Sequence, residues 1–387
     1  MISAELQGLL EPLERFEAIR RRAVRLGDRL ADLSYANPYE GVPNPARAVL
    51  REALADERQL DLQYAPFGGQ TLARRAVADA LRESHALPFA FRDVVLTPGA
   101  MSALHVALRA SGRPGDEVVI PVPCWLDYPL YARSMDLVPR FVPLAPDRFG
   151  LNADAIAEVI APRTCAVVLS HPGNPTGRNH GRDELERLGT VLEEAETSRS
   201  RPITLIADET HRDFVEAGAY VSAAGHVDRS VIVYSFGKYH FMQGQRLGYA
   251  AVSPTHPNRT EVADELSRWT RIAGIATPTA LMQRALPRLL ALRHDHGWIA
   301  PARARLIEAL RASAYQVTEP DGTLFVYVRT APRFDDDYAF VEELASRGVL
   351  ALPAPVFHHR GHFRVSLTGS ERMLLQAAEV LGEMAGE

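Results

Sequence analysis

The chain has 387 residues, of which 47% are hydrophobic, 24% are charged and 7% are aromatic. This composition is ordinary for a globular protein of about two or three domains, and it excludes disordered, collagen-like and coiled-coil classes. The net charge of -5 leaves no basic field that would make nucleic acid or an anionic membrane the main partner.

Cysteine usage and the N-terminal sequence bear on the cellular compartment. Two cysteines, Cys124 and Cys165, are too few for a disulfide framework or a multi-cysteine zinc site. Residues 1–15 mix glutamates with short apolar pairs, unlike a signal or transit peptide, and no apolar run approaches the ~18 residues of a membrane-spanning helix. We therefore expect a cytoplasmic protein with neither a membrane nor a nucleic acid as its partner.

The N-terminal region begins with helical periodicity. Apolar residues lie at helical spacing within residues 1–32, and the prolines of residues 37–45 then break the pattern into an extended linker. Residues 46–55 are again predicted to be helical.

From residue 94 onwards, short apolar and β-branched runs alternate with helical stretches. Such a pattern predicts a mostly parallel sheet that is covered by helices on both faces. The predicted strands are residues 94–96, 118–120, 141–144, 166–169, 203–207, 231–234 and 249–252, and residues 254–293 are predicted to form a helical connector.

A second, smaller unit follows. Residues 324–328 and 363–367 are predicted strands, and residues 338–346 and 371–384 are predicted helices. The fold class is therefore α/β for a large domain of residues 46–290 and α+β for a small domain of residues 291–387. The N-terminal segment, residues 1–45, is expected to pack with the small domain. In such sheets, ligands bind outside the carboxyl ends of the strands.

Lysine usage singles out one position. Lysine and arginine together number 43, and Lys238 is the one lysine of the sequence. Codon bias in a GC-rich genome accounts for the arginines, but a guanidinium stays protonated and cannot act as an amine nucleophile. The remaining lysine therefore marks a place where an amine is chemically needed.

Residues 94–102 are typical of a strand, a glycine turn and a helix start. Gly99 permits the turn, and the free amides of Ala100, Met101 and Ser102 would face an anion at the helix N-terminus. A plain strand-to-helix turn is the alternative, since the segment matches neither GxGxxG nor a Walker loop.

Polar residues follow three further predicted strands. Asn174 projects from a loop rich in proline and glycine, Asp208 ends the next strand, and Lys238 follows the strand after that, with Arg246 eight positions beyond it. A structural turn is the alternative for Asn174, and a helix cap is the alternative for Asp208. Together these segments predict an anion cradle, a carboxylate, an amide and an amine at one edge of the sheet.

The motifs follow one another over roughly residues 33–381, in the order T-P-G-A-M-S-A-L, P-C-W-L-D-Y-P, H-P-G-N-P-T-G, D-E, S-F-G-K, R-L-G-Y and F-R-V-S-L. This order resembles the fold-type I enzymes that depend on pyridoxal 5'-phosphate (PLP), and within them the class I/II aminotransferases. The resemblance implies a PLP-dependent transferase fold of type I and PLP as the cofactor.

The resemblance also implies roles in the cofactor site. Lys238 would hold PLP through its amine and move protons, and Asp208 would keep the pyridine nitrogen protonated so that the ring acts as an electron sink. Other cofactor contacts would come from Trp125 on the ring face, from Asn174 at the ring hydroxyl, and from Ala100, Met101, Ser102, Ser235 and Arg246 around the phosphate.

Substrate and partner contacts are implied in the same way. Arg364 would grip the substrate α-carboxylate as a bidentate fork, with Asn174 and Ala36 also in the substrate site. Loops such as residues 35–41 would meet the substrate side chain. Tyr64 resembles a tyrosine that reaches the phosphate of the partner subunit, which implies a homodimer with shared active sites.

Two positions depart from the family pattern. His211 stands three residues after Asp208, where relatives carry a tyrosine that bonds the ring hydroxyl, and Gly237 stands where many relatives carry serine. A histidine nitrogen can still donate to that oxygen, so His211 counts among the expected cofactor contacts. We expect its charge to vary near neutral pH, unlike that of tyrosine. A partly exposed histidine at a helix start is the alternative.

Other chemistries have less support in the sequence. HExxH and GxSxG motifs are absent, and His240, His358 and His359 form no convincing ligand set, so no metal is expected. Asp127 and Glu40, near the expected mouth of the site, would either meet a cationic substrate side chain or lie on solvated surface.

We therefore predict a PLP-dependent aminotransferase that moves the amino group of an α-amino acid to a 2-oxo acid in a ping-pong cycle. A different PLP reaction on the same scaffold is the alternative, such as lyase, cyclase, decarboxylase or oxygen-dependent oxidase chemistry on an amino acid. A transcriptional regulator built on this fold would need a DNA-binding module, and the segment before Leu33 carries no helix-turn-helix pattern.

Overall fold

The structure, a computed structural model, describes residues 2–39, 43–55, 63–199 and 201–386. In chain order its strands are β1 (Ala31–Asp32), β2 (Val94–Thr97), β3 (Glu117–Val122), β4 (Val138–Pro143), β5 (Thr164–Ser170), β6 (Thr204–Asp208), β7 (Ser230–Ser235), β8 (Gly248–Val252), β9 (Phe325–Arg329), β10 (Val349–Leu350), β11 (Leu352–Pro353) and β12 (His362–Ser366). Its α-helices are α1 (Ala4–Ala23), α2 (Asn44–Ala55), α3 (Thr71–His85), α4 (Ala100–Ser111), α5 (Tyr128–Ser134), α6 (Ala153–Val159), α7 (Arg182–Arg199), α8 (Phe236–Tyr239), α9 (Arg259–Ile272), α10 (Ala280–Ala291), α11 (Ile299–Ala312), α12 (Asp337–Ser346) and α13 (Glu371–Gly386).

A seven-stranded sheet organises the larger part of the molecule, in the order β2-β8-β7-β6-β5-β3-β4. Neighbouring strands run parallel except for β8, which is antiparallel to both β2 and β7. The prediction of a mostly parallel α/β sheet is confirmed. Because β2, β5, β6 and β7 point the same way, the chain leaves all four strands at one edge of the sheet, and β8 starts from that edge.

Helices cover both faces of this sheet, and alternate strand residues pack against opposite layers. In β7, Ile232 lies in a core with side chains of α2, α3, α7 and α10. Its neighbours Val231 and Val233 lie in a second core with side chains of α4, α5 and α9. Burial on both faces explains why these strands read as continuous apolar runs rather than as alternating ones.

The register of β8 draws two loops together at the sheet edge. Thr97 at the end of β2 and Ser235 at the end of β7 both pair with Gly248, the first residue of β8. A Cβ on Gly248 would lie 2.4 Å from the carbonyl oxygen of Tyr234 and 2.7 Å from the backbone of Gly99, so only glycine permits this approach. The segments that follow β2 and β7 therefore meet beside the segment that precedes β8.

The C-terminal part carries an antiparallel sheet of order β11-β12-β9, and β10 pairs in parallel with β1. Phe16 and Ile19 of α1 share a hydrophobic core with Val326 of β9 and Phe363 of β12. This packing places the N-terminal helix against the C-terminal elements. The domain boundaries after residues 45 and 290 remain predictions.

Three segments differ from the sequence-based prediction. The N-terminal helix ends at Ala23, because a 3-10 turn over Val24–Arg29 follows it and Gly27 leaves the helical region with φ 58°. The predicted connector over residues 254–293 is two helices, α9 and α10, and α11 was not predicted.

Among the described residues, no helix has the length and hydrophobicity needed to cross a bilayer.

Candidate active site

A cavity of about 460 Å³ lies at the carboxyl edge of the seven-stranded sheet, next to β9 and β12. Its volume is in the range of small-molecule sites. Most of the residues predicted for the site line it: Ala36, Ala100, Met101, Trp125, Asn174, Asp208, His211, Ser235, Lys238, Arg246 and Arg364. Ser102 and Tyr64 are not part of this lining.

Lys238 lies in α8, immediately after β7, and is half-buried. Burial lowers the pKa of its amine from 10.5 to about 8, the positive charges of Arg364 and Arg246 add to the effect, and Asp208 opposes it. A larger fraction of the amine is therefore neutral and nucleophilic near neutral pH than for an ordinary lysine. Gly237 precedes it in close contact, since a Cβ there would lie 3.0 Å from Cα of Gln243.

Asp208 is the last residue of β6 and is held by two hydrogen bonds. The Tyr128 hydroxyl donates to Oδ2 at 2.9 Å, and the backbone N–H of Thr210 donates to Oδ1 at 3.0 Å. Burial raises the pKa of this carboxyl, while the hydrogen bonds and Lys238 oppose the rise. A capping role accounts for the bond to Thr210 but not for the bond to Tyr128, which orients the carboxylate.

Arg364 on β12 is a buried cation with an exposed fraction of 3%. Its Nη1 donates to Asn174 Oδ1 at 2.8 Å, its Nη2 donates to the Ser34 carbonyl at 2.6 Å, and its guanidinium lies 3.9 Å from the centre of the Phe325 ring. Its Nε lacks a hydrogen-bond partner, and no carboxylate in the described part of the chain pairs with it. Burial lowers the pKa of this group to about 9. A buried guanidinium without a counter-ion favours an anionic ligand.

His211 is buried and lies beside Lys238 and Asp208 in the cavity wall. Its Nδ1 has no hydrogen-bond partner, and its ring contacts Phe325 at a centroid distance of 5.2 Å. Burial, with Lys238 and Arg364 as further causes, lowers its pKa well below the ordinary value. The expectation that its charge varies near neutral pH is therefore wrong, as is the alternative of a partly exposed position.

The turn after β2 has the features of an anion cradle. Gly99 caps α4 with φ 88°, and a Cβ there would lie 2.7 Å from Nη2 of Arg246. Glycine thus lets the guanidinium approach the helix N-terminus, where the first-turn amides of Ala100 and Met101 have no acceptor within the helix. Arg246 is anchored by Nη1, which donates to the Gln243 carbonyl at 2.6 Å.

These features fit PLP. The cradle suits a phosphate, Asp208 suits a protonated ring nitrogen, the Lys238 amine suits the aldehyde carbon, and the orphaned Nδ1 of His211 suits a polar ring substituent. Within the described ranges, no three His, Cys, Asp or Glu side chains are grouped to hold a metal ion.

Sequence reasoning missed several residues of the site. Tyr128 orients Asp208, and its place within the W-L-D-Y-P motif could have indicated it. Leu13 and Phe325 line the cavity from α1 and β9, and nothing in the local sequence signals that these distant segments meet there. Asp127 also lines the cavity and is half-buried, which favours the first of its two expected positions, at the mouth of the site. Glu40 lies outside the described residues.

Comparisons with known proteins agree with this geometry. The family model for aminotransferase class I and II matches residues 32–381. A probable aspartate/prephenate aminotransferase of Thermus aquaticus is 28% identical over 94% of both chains, and an arginine–pyruvate transaminase of Pseudomonas aeruginosa is 30% identical over 93% of both. The crystal structure of an amino transferase from Eubacterium rectale superposes with a TM-score of 0.90 at 25% identity, covering 99% of this chain and 98% of that one.

The fold and the site are those of a PLP-dependent enzyme of the α/β type, with a mostly parallel sheet that presents a lysine at its carboxyl edge. The chain belongs to the class I and II aminotransferase family. It is a PLP-dependent aminotransferase that acts on amino acids. The relatives named above are all aminotransferases, and they do not favour the alternative of a different PLP reaction.

The lowered pKa of Lys238 predicts how fast an amine-selective reagent modifies the cofactor-free protein. Only the neutral amine reacts, so the rate should rise with pH and level off above about pH 8. Because Lys238 is the single lysine of the sequence, mass spectrometry of the peptide that contains it measures how much of this one side-chain amine has been modified. In the urea-unfolded chain the midpoint should return to roughly 10.4. A folded-state rate that still climbs tenfold from about pH 9 to 10 would contradict the lowered pKa.

Proposed function

We propose that Lys238, Asp208 and Arg364 form the catalytic core, which transfers the amino group of an α-amino acid to a 2-oxo acid. The observation that supports this most directly is the buried guanidinium of Arg364, which has no carboxylate partner in the described residues and shares one cavity with the single lysine. An α-amino acid and a 2-oxo acid both carry the carboxylate that this cation lacks.

PLP, when bound, supplies an electron sink for the negative charge that develops at the substrate Cα. Asp208 keeps a proton on the pyridine nitrogen, because Tyr128 and the Thr210 amide hold its carboxylate in place. Lys238 takes the proton from the substrate Cα, and its low pKa lets it return to the neutral base between turnovers. His211 stays neutral and donates or accepts a hydrogen bond without adding a charge.

Substrate orientation follows from the surroundings of Arg364. Its bonds to Asn174 and to the Ser34 carbonyl fix the plane of the guanidinium, and the Phe325 ring supports one face. A carboxylate bound there would have its α-carbon in the cavity that Lys238 also lines. Ala36 is 5% exposed and borders the same space, where a larger side chain would crowd the substrate.

Replacing Arg364 with lysine tests the carboxylate role. Arg364→Lys keeps a positive charge but loses the fork, so kcat/KM for α-amino acids should fall roughly 30- to 1000-fold, mostly through KM. Turnover of an alkyl amine without a carboxylate should change by less than about threefold, because that substrate never uses the fork. Steady-state kinetics of both substrates measure the effect.

The matched control is Arg360→Lys, an exposed arginine at the start of the same hairpin, which should leave both rates unchanged. Equal losses for amino acid and amine in Arg364→Lys would indicate damage to the cavity instead of a lost carboxylate contact.

The site is also proposed to be shared between two copies of the chain. Tyr64 is fully exposed and is absent from the cavity lining of its own chain, and the nearby apolar residues Phe67 and Leu72 are exposed as well. Apolar side chains exposed close together are typical of an interface. A homodimer in which Tyr64 reaches the phosphate cradle of the partner would cover these side chains.

Mixed dimers test this arrangement. Tyr64→Phe alone should weaken PLP binding by roughly 10-fold, because it removes one hydrogen bond to a charged group. In a dimer of one Lys238→Ala chain and one Tyr64→Phe chain, the chain that keeps Lys238 faces an intact Tyr64 from its partner. PLP titration followed by absorbance should therefore show wild-type affinity at that site. Affinity that stays weak in the mixed dimer, or sedimentation as a monomer, would contradict the shared site.

A further inference from the structure

Asp127 is a charged residue of the cavity that the proposed catalysis does not use. It directly precedes α5, lines the cavity and is half-buried. The one hydrogen bond to its side chain comes from the Tyr131 hydroxyl at 3.4 Å, and in the described part of the chain it forms no ion pair. Burial raises its pKa to about 6, the hydrogen bond from Tyr131 opposes the rise, and no cation among the described residues adds to that opposition. The carboxylate is therefore incompletely satisfied and faces the substrate space.

Each positively charged side chain in the described lining of the cavity already has a proposed role. In the described lining they are Lys238, Arg246 and Arg364, assigned above to the amine, the phosphate cradle and the substrate α-carboxylate. A second carboxylate on the substrate would find no free cation there and would meet the negative charge of Asp127. The cavity thus disfavours acidic side chains.

The cavity lining also includes apolar side chains. Trp125 and Leu126, the sequence neighbours of Asp127, line the cavity, together with Leu104 and with Leu13 of α1. Such a wall suits the methylene stem of a long side chain, whereas Asp127 suits a cationic end. An ammonium or guanidinium at that end would give the carboxylate the partner that it lacks.

We propose that Asp127 determines specificity by pairing with the side chain of a basic α-amino acid, one that ends in an amine or a guanidinium. This inference rests on the proposed function, because it requires Arg364 to hold the α-carboxylate while Asp127 holds the other end. Asp127 does not act in the amino transfer itself.

Asp127→Asn is a suitable probe because it keeps the shape of the side chain and removes the charge. The Asp127 side chain makes no capping bond to α5, so the fold should tolerate the change. The donors are lysine and ornithine, with norleucine as the neutral analogue and glutamate as the acidic one. The control variant is Asp147→Asn, an exposed carboxylate that does not line the cavity.

For the PLP-loaded wild type, kcat/KM with lysine or ornithine should be at least roughly 10-fold higher than kcat/KM with norleucine. Glutamate should give the lowest kcat/KM of the four donors. Asp127→Asn should lose roughly 10- to 100-fold with the basic donors and change less than about twofold with norleucine. Asp147→Asn should match the wild type with every donor.

Two outcomes would overturn the inference. One is a wild type that shows no preference for basic donors, and the other is an Asp127→Asn variant that loses activity equally with norleucine and lysine. The second result would mean that Asp127 supports the cavity or pairs with a cation of a partner subunit. Failure of the proposed function is distinguishable, because the wild type would then convert none of the donors.

Discussion

The burial of two basic side chains in one cavity is the constraint on which the site depends. Lys238 and Arg364 line the same cavity, and the charge of Arg364 adds to the effect of burial in lowering the pKa of the Lys238 amine. The guanidinium keeps its charge because its intrinsic pKa is so high, whereas the amine becomes easier to deprotonate. The chain therefore holds an amine of lowered pKa in the same cavity as a cation that has no carboxylate partner among the described residues. A buried histidine that is kept neutral adds no further charge to this pair.

The reversed strand β8 makes this arrangement possible. Because Gly248 pairs with the ends of both β2 and β7, the helix cap at Gly99, the Lys238 turn and the Arg246 segment meet at one point of the sheet edge. Glycine is required both at Gly248 and at Gly99, where backbone or guanidinium atoms occupy the place of a side chain. The proposed phosphate cradle is thus a property of strand register, and the residues that would form it are distant in sequence.

The sequence predicted the sheet and most of the cavity lining well, for a physical reason. Strands buried on both faces appear as continuous apolar runs, and the polar residues that follow them must lie at the same edge. Lys238, Asp208 and Asn174 could be found in this way. The contribution of Leu13 and Phe325 could not, because it depends on how α1 and β9 pack against the edge.

Residue environment was harder to predict than residue position. His211 is expected among the cofactor contacts and lines the cavity, yet its neutrality follows from burial and from the neighbouring side chains of Lys238 and Arg364, which the sequence does not place beside it. For Asp127 the sequence leaves both the surface and the site open, because charged residues usually lie at the surface and only the packed structure places this one in the cavity lining. Local pattern identifies candidate groups, whereas their charge states depend on tertiary packing.

The central claim is that amino transfer occurs at Lys238, and the absorbance spectrum of the PLP-loaded protein tests it most directly. In the wild type, an α-amino acid should convert the cofactor band to that of the aminated cofactor, and a 2-oxo acid should restore it. Lys238→Ala should still bind PLP in the cradle but show no such cycle, and added methylamine should partly rescue it by replacing the missing base. A full, unaided cycle in Lys238→Ala would contradict the account.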